Sequence, residues 1–96
     1  MAKALLLDPL DDVAIMLEHV VKGQPVALSG GDEAVLAAAS DLPIHHKIAL
    51  RDLPENTPLR RGGLVIGKTK QAISKGGHVH IHNLTSLRAS PSVVLL

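Results

Sequence analysis

The chain has 96 residues, 46% of them hydrophobic and 20% charged, which predicts a single globular domain rather than a disordered segment. It contains no Phe, Tyr, Trp or Cys, so nucleic-acid binding by base stacking is disfavoured, and disulfides, iron–sulfur clusters and Cys-ligated zinc are excluded. The formal net charge of +1 predicts no strong electrostatic attraction to DNA or to membranes. Because the sequence shows neither a signal-peptide pattern nor an apolar stretch of membrane-spanning length, we expect a cytoplasmic protein without nucleic-acid or membrane partners.

The first predicted elements are a strand and a helix. An apolar run at residues 4–7 predicts a short strand that ends before Pro9. Apolar residues then recur at the spacing of one helical face, namely Val13, Met16, Leu17, Val20 and Val21. Asp11 or Asp12 can cap the start of this helix, and Gly23 can end it.

The remainder of the chain predicts short strands separated by turns. The candidate strands lie at residues 25–29, 48–50, 64–66 and 79–82. Residues 33–39 fit either a helix or a strand. The predicted fold class is therefore mainly β with one N-terminal helix, an α+β arrangement. We expect one domain at residues 5–84, followed by a C-terminal tail or linker at residues 85–96.

Three segments share a turn pattern in which two apolar residues flank a Gly or Asn at a fixed distance. The pattern occurs at residues 20–26, 53–59 and 73–79. Its central residue is Gly or Asn, and both residue types tolerate a positive φ. The repeat indicates either ordinary turns between strands or a small β domain that reuses one turn-to-strand unit.

The strongest candidate site is the alternating histidine run within residues 77–83. Side chains alternate along a strand, so His78, His80 and His82 share one face, with roughly 6.5–7 Å between neighbours. Two imidazoles at this spacing can bind one metal ion. A straight strand disfavours convergence of all three, so a complete site would need a ligand from another segment or another chain. A solvated strand face is the alternative interpretation.

A second group of polar residues lies at His45, His46 and Lys47. The two histidines point in opposite directions on an extended chain, but His46 and Lys47 could bind an anionic group or act as acid and base. Arg61, in the pair Arg60-Arg61, could hold a carboxylate or sulfonate. The alternative interpretations are a polar loop and a solvated turn.

Three motifs, in this order, resemble those of the SAF-type domain of the altronate and galactarate dehydratases. Residues 43–52 are similar to that family's Pro-x-Gly-His-Lys-x-Ala-Leu-Arg-Asp segment, with His45 in place of its Gly. Residues 63–67 resemble its Gly-x-x-Ile-Gly turn, and residues 77–83 its Gly-His-Val-His-x-His-Asn strand. The resemblance covers most of the chain and implies a β-clip fold, made of short strand pairs with long loops.

This resemblance also implies a function. The chain would be the small subunit or N-terminal domain of a lyase that eliminates water or sulfite from a sugar acid or a sulfonated hydroxy acid. It would act with a large catalytic subunit and not alone. A divalent metal such as iron or manganese is implied, bound in the domain or only together with the partner. The implied site residues are catalytic His46, Lys47 and His80, substrate-binding Arg61 and Asn83, and metal-ligating His78, His80 and His82.

Two other functions stay open. SAF-type domains also occur in sialic-acid synthase and in flagellar or pilus assembly factors, so the chain could be a non-catalytic binding or assembly module. Those assembly relatives do not need the histidine strand, which favours the lyase. A stand-alone metal carrier is the third alternative, although the chain has no Cys to complete such a site.

Overall fold

The structure, a computed structural model, describes residues 1–30, 34–80 and 82–86, and the regular elements in this part of the chain are all strands. They are β1 (Ala2–Leu5), β2 (Val13–Met16), β3 (Pro25–Ser29), β4 (Val35–Ala37), β5 (Lys47–Ala49), β6 (Pro58–Arg61), β7 (Leu64–Thr69), β8 (His78–Val79) and β9 (Leu84–Ser86). Residues 87–96 of the predicted tail lie outside the described residues. Over the described ranges, no helix is of a kind that could cross a membrane.

The predicted N-terminal helix is wrong, since its residues form a strand and a turn. β2 lies between β1 and β5 in the larger sheet, and both of its faces are covered, because Val13 packs in one apolar cluster and Ala14 and Met16 pack in the other. Val13 and Met16 are therefore both at 0% exposure. They are three positions apart, so two buried residues of one strand have the spacing expected of a helical face. Leu17 and Val21, which the helix would bury, are 41% and 39% exposed. The β-branched residues of the segment also favour a strand over a helix.

Asp11 and Asp12 accept hydrogen bonds from a distant hairpin instead of capping a helix. The Asp11 carboxylate accepts bonds from the backbone N–H groups of Gly62 at 2.6 Å and Gly63 at 2.9 Å, in the turn between β6 and β7. Asp12 accepts a bond from the backbone of β6 at 2.8 Å. Both carboxylates are buried. They join the start of β2 to the smaller sheet and fix the end of β6.

The strands form two sheets. The larger has six strands in the order β4-β3-β1-β2-β5-β8, and the smaller has three in the order β6-β7-β9. β1 and β3 are parallel, and the other paired strands are antiparallel. In the larger sheet, β5 and β8 are the last two strands at one edge. Residues near this edge are therefore accessible from outside the sheet.

The turn pattern predicted at three places occurs four times among the described residues. Each copy begins at a residue in an isolated antiparallel bridge, and the two bridges are Val20–Leu42 and Leu53–Ile73. Three positions later comes a residue in the left-handed region, with φ values of 89°, 61°, 83° and 72° for Gly23, Asn56, Gly76 and His45. The fourth copy, at residues 42–48, has His45 where the others have Gly or Asn. It leads directly into β5 and so places His46 at the start of that strand.

Two apolar clusters without aromatic side chains form the core. One is built around β1 to β4 and contains Met16, and the other joins β5 and β8 to the smaller sheet and contains Leu59. β5 belongs to both clusters, because its neighbours Ile48 and Ala49 lie in the first and the second respectively. The backbone of β5 is therefore fixed from both sides.

Candidate functional site

Three histidines from two neighbouring strands come together at one edge of the larger sheet. β5 and β8 are antiparallel, with Ile48 opposite His78. The same register places His46 opposite His80, just beyond the paired segment. One ligand nitrogen from each of His46, His78 and His80 lies within 4.8 Å of the other two, and all three side chains are half-buried.

The imidazoles stack on one another and are joined by a hydrogen bond. The rings of His46 and His80 are 3.9 Å apart and within 16° of parallel. His46 Nδ1 and His78 Nε2 are 2.7 Å apart, so one nitrogen donates and the other accepts through its lone pair. The exposed His82 lies at the margin, with its ring 5.0 Å from that of His78.

The environment favours the neutral form of two of these rings. Burial lowers the pKa of His78, and the proximity of His46 lowers that pKa further. Burial also lowers the pKa of His80, followed by the effects of His46 and Lys47. His80 Nδ1 is buried and has no hydrogen-bond partner among the described residues. A neutral imidazole keeps the lone pair that binds a metal ion or accepts a proton.

The charge of Lys47 acts on the histidines, and the charge of Arg61 acts on Lys47. Burial lowers the pKa of Lys47, the first residue of β5, and the positive charge of Arg61 lowers that pKa further. Arg61 is the last residue of β6 and precedes the turn that Asp11 holds. Lys47 in turn contributes to the lowered pKa of His78 and of His80, so its positive charge acts on both rings. This arrangement attracts anionic groups to the histidines.

The metal-ligand set predicted from the motif differs in one member from the set that the structure brings together. The motif predicts His78, His80 and His82, whereas the geometry groups the first two with His46. β8 ends at Val79 and the chain turns before His82, which therefore does not continue the face of the strand. The sequence predicts that a further ligand comes from another segment. The turn pattern at residues 42–48 is the signal that could have identified His46 as this ligand.

The two predicted substrate residues lie in different surroundings. Arg61 is half-buried and close to Lys47, where it could reach an anion. Asn83 is only 3% exposed, and its side-chain amide is bonded to the backbone of His78 and of His80. The structure thus gives Asn83 protein partners for both polar atoms of its amide.

The lowered pKa values of His78 and His80 predict that the metal-free domain becomes less stable as the pH falls. In the unfolded chain, histidines take up protons near a pKa of about 6.5. In the folded chain, His78 and His80 take them up only at lower pH, so between the two pKa values the unfolded state binds more protons, and the free energy of unfolding rises with pH. This stability is present above the unfolded pKa and is lost as the pH falls through the folded one.

The measurement is urea denaturation, followed by far-UV circular dichroism in the presence of a chelator, at about pH 5 and about pH 8. The double variant His78→Gln with His80→Gln should show a smaller difference in unfolding free energy between the two pH values. His19→Gln, at an exposed histidine outside the cluster, should retain the full difference. Equal stability of the wild-type domain at both pH values would contradict the prediction.

Comparison with known families agrees with the motifs. A sequence profile described as the altronate/galactarate dehydratase SAF domain matches residues 2–87 of the chain. The chain belongs to this family. The resemblance inferred from the histidine motif is thus confirmed, and the match includes every residue of the histidine cluster of this SAF domain.

Curated relatives of the SAF domain are lyases of two kinds. The (2R)-sulfolactate sulfo-lyase subunit alpha of Chromohalobacter salexigens is 43% identical over 47 residues, which are 49% of this chain and 50% of that protein. The altronate dehydratase of Bacillus subtilis is 34% identical over 73 residues, 76% of this chain but 14% of that protein. The sulfo-lyase subunit alpha of Paracoccus pantotrophus is 36% identical over 63 residues, 66% of this chain and 94% of that protein. The chain thus spans half or less of the first two relatives and nearly all of the third.

Proposed function

We propose that this SAF domain is the small subunit, or a small N-terminal part, of a lyase that eliminates water or sulfite from an α-hydroxy acid. Its relatives are named as an altronate dehydratase and as alpha subunits of sulfo-lyases. The observation that carries the proposal is the cluster of His46, His78 and His80, together with Lys47, which follows His46 in the chain, and Arg61, whose charge acts on Lys47. This cluster combines metal-binding, proton-transferring and anion-binding groups at one edge of the domain.

The histidine cluster has the donor chemistry of a divalent-metal site. Its three nitrogens lie within 4.8 Å of one another, a spacing that a modest movement of the rings converts into shared coordination. The lowered pKa values of His78 and His80 favour the neutral ligand form, and the buried His80 Nδ1 is without a protein partner in the described part of the chain. Imidazole suits iron and similar divalent ions. When bound, such an ion would stabilise the negative charge that develops next to the substrate carboxylate.

The remaining residues would orient the substrate and move its proton. In the elimination, the C–H bond next to the carboxylate breaks and its electron pair forms a C=C bond. The neighbouring C–O or C–S bond breaks, and its electron pair leaves with hydroxide, which takes up a proton to become water, or with sulfite. The enol that results tautomerises to a 2-oxo acid. We assign proton transfer to Lys47, because its lowered pKa increases the neutral fraction that can act as a base. The guanidinium of Arg61 suits a carboxylate, which it can bind through two parallel hydrogen bonds.

A larger catalytic chain would complete the site. The three histidines are only half-buried, so another surface has to exclude water from the reacting groups. Two relatives are named as alpha subunits, and the altronate dehydratase contains its matching part within a much longer chain. We infer that this domain docks on such a chain, in the cytoplasm, and is inactive alone.

The test is purification of the tagged full-length chain from its native lysate, with mass spectrometry of the proteins that accompany it. We expect a large dehydratase-type chain, and we expect the complex to release a 2-oxo acid from altronate, galactarate or sulfolactate. Recovery of the folded domain alone, together with no elimination by any reconstituted complex, would support a non-catalytic binding or assembly module instead.

A further inference from the structure

Asn83 is a buried residue whose side chain is hydrogen-bonded to the backbone of two members of the histidine cluster. Its side chain is 3% exposed. Its Oδ1 accepts a hydrogen bond from the backbone N–H of His80 at 2.9 Å, and its Nδ2 donates one to the backbone C=O of His78 at 2.6 Å. Its own backbone N–H donates to the C=O of His80 at 3.1 Å. Three bonds from one residue thus reach the backbone of two cluster members.

These bonds fall on the outer edge of β8, which none of the described strands covers. The backbone N–H of Ala49 donates to the C=O of Gly77 at 2.9 Å, so this C=O, and with it the backbone polar groups of Val79, which pairs with Lys47, point toward β5. Because these groups alternate in direction along a strand, those of His78 and His80 point the other way. The Asn83 amide supplies one donor and one acceptor there, in place of a neighbouring strand.

These bonds fix the positions of the His78 and His80 imidazoles relative to each other. Backbone bonds to His78 and His80 restrict the φ and ψ angles that aim their side chains. The same bonds close the turn that follows β8, so the chain leaves the sheet while both rings remain beside His46. Ligands of a metal or catalytic site need such support, because small displacements of the first shell weaken it.

We propose that Asn83 is a positioning residue, which sets the geometry of His78 and His80 through their backbone and does not contact the substrate. The proposal rests on the proposed function for the metal site, but its main consequence, the placement of the rings, exists without metal. It replaces the substrate-binding role implied by the motif, since both polar atoms of the amide are already used.

The test compares Asn83→Ala with a matched variant, Thr69→Val, in the full chain. Thr69 is also buried, at 2% exposure, and its hydroxyl likewise accepts one backbone bond, from Thr57 N–H at 2.9 Å, and donates one, to the C=O of Pro54 at 2.6 Å. Those partners belong to a turn that carries no histidine. Both variants lose two buried hydrogen bonds, so a general loss of stability affects them alike.

The first readout is the set of imidazole NMR resonances in the metal-free protein. In Asn83→Ala, we expect the resonances of His46, His78 and His80 to move, because their stacking changes, whereas those of the exposed His19 stay in place. In Thr69→Val, all of these resonances should stay in place. The second readout is the affinity for Co²⁺ alone, which Asn83→Ala should weaken by about 10- to 100-fold and Thr69→Val should leave unchanged.

A third variant, Asn83→Asp, keeps the acceptor for the His80 N–H but loses the donor to the His78 C=O. It places a carboxylate oxygen against that C=O, so it should also move the same resonances, and it provides the test if Asn83→Ala does not fold. The proposal would be overturned if the imidazole resonances of both Asn83 variants matched those of the wild-type protein. It would also be overturned if Thr69→Val moved these resonances as far as Asn83→Ala does. If the wild-type chain does not bind Co²⁺, the metal part of the proposed function fails, and the metal-free spectra still decide the role of Asn83.

Discussion

Replacing His80 with alanine is expected to lower the rate of the proposed elimination, in the proposed complex of this chain with a large catalytic chain, by about 10²- to 10⁴-fold. His80 lies face to face with His46, at 3.9 Å between ring centres, and its buried Nδ1 has no partner within the described ranges. That nitrogen is available to a metal ion or to a proton. Its removal therefore breaks the three-nitrogen cluster, which is the feature on which the proposed reaction depends.

The fold should survive this change. The bonds between His80 and Asn83 use backbone groups of His80, which alanine retains. The imidazole itself is only half-buried, so its loss leaves no large cavity in either apolar cluster. Far-UV circular dichroism and the recovered amount of the large partner should match those of the wild-type chain.

His19→Ala is the matched control, because it removes an exposed histidine outside the cluster. The rate of 2-oxo acid formation by the reconstituted complex is the quantity to compare. We expect the His19→Ala complex to react at the wild-type rate. A wild-type rate from the His80→Ala complex would rule out a role of this cluster in the chemistry and would favour a binding or assembly function.

The histidine run shows how far local sequence determines the site. The alternation of His78, His80 and His82 picked out two of the three histidines that the structure groups, and the straightness of a strand predicts that a further ligand comes from elsewhere. The source of that ligand could not be assigned, because His46 and His78 are 32 positions apart and meet only through the pairing of β5 with β8. Local patterns do not specify which strands become neighbours in a sheet.

The N-terminal segment shows the opposite case, in which tertiary position overrides a local pattern. Residues 13–21 carry apolar side chains at helical spacing, and two aspartates precede them. In the structure, β2 is covered on both faces by the rest of the domain, and Asp11 and Asp12 bind the backbone of the distant β6–β7 hairpin. A strand buried on both faces has no period-2 pattern to reveal it, so the spacing alone was misleading.

Replacing Gly76 with alanine should be the most destabilising single methyl addition among the glycines of the repeated turns. Gly76 has a φ of 83°, a region that L-residues reach only at a cost of about 1–2 kcal/mol. A Cβ at this position would also overlap the backbone carbonyl oxygen of Ala37 and approach the backbone nitrogen of Ala39 to 3.2 Å. Overpacking of this kind adds about 1–3 kcal/mol. The total, about 2–5 kcal/mol, is a large part of the stability of a small domain.

The clash cannot be relieved cheaply, because backbone hydrogen bonds hold this turn on both sides. Gly76 donates its N–H to the C=O of Ala49 at 2.8 Å and accepts a bond from the N–H of Ala39 at 2.9 Å. The turn therefore joins the segment after β4 to the end of β5, and any shift that makes room for a methyl group stretches one of these bonds. Since β8 follows this turn directly, a shift also moves His78.

The variant Gly23→Ala separates the two causes of the loss of stability in Gly76→Ala. Gly23 occupies the same position of another copy of the turn, at a φ of 89°, but an added Cβ there meets nothing within 4 Å. This variant should therefore lose only the conformational part, about 1–2 kcal/mol. Urea denaturation followed by far-UV circular dichroism measures both losses, because the chain has no Trp or Tyr to report by fluorescence. Equal losses in the two variants would contradict the prediction. They would mean that the close approach of Ala37 contributes nothing, and that the positive φ of the turn alone sets the loss of unfolding free energy at each glycine.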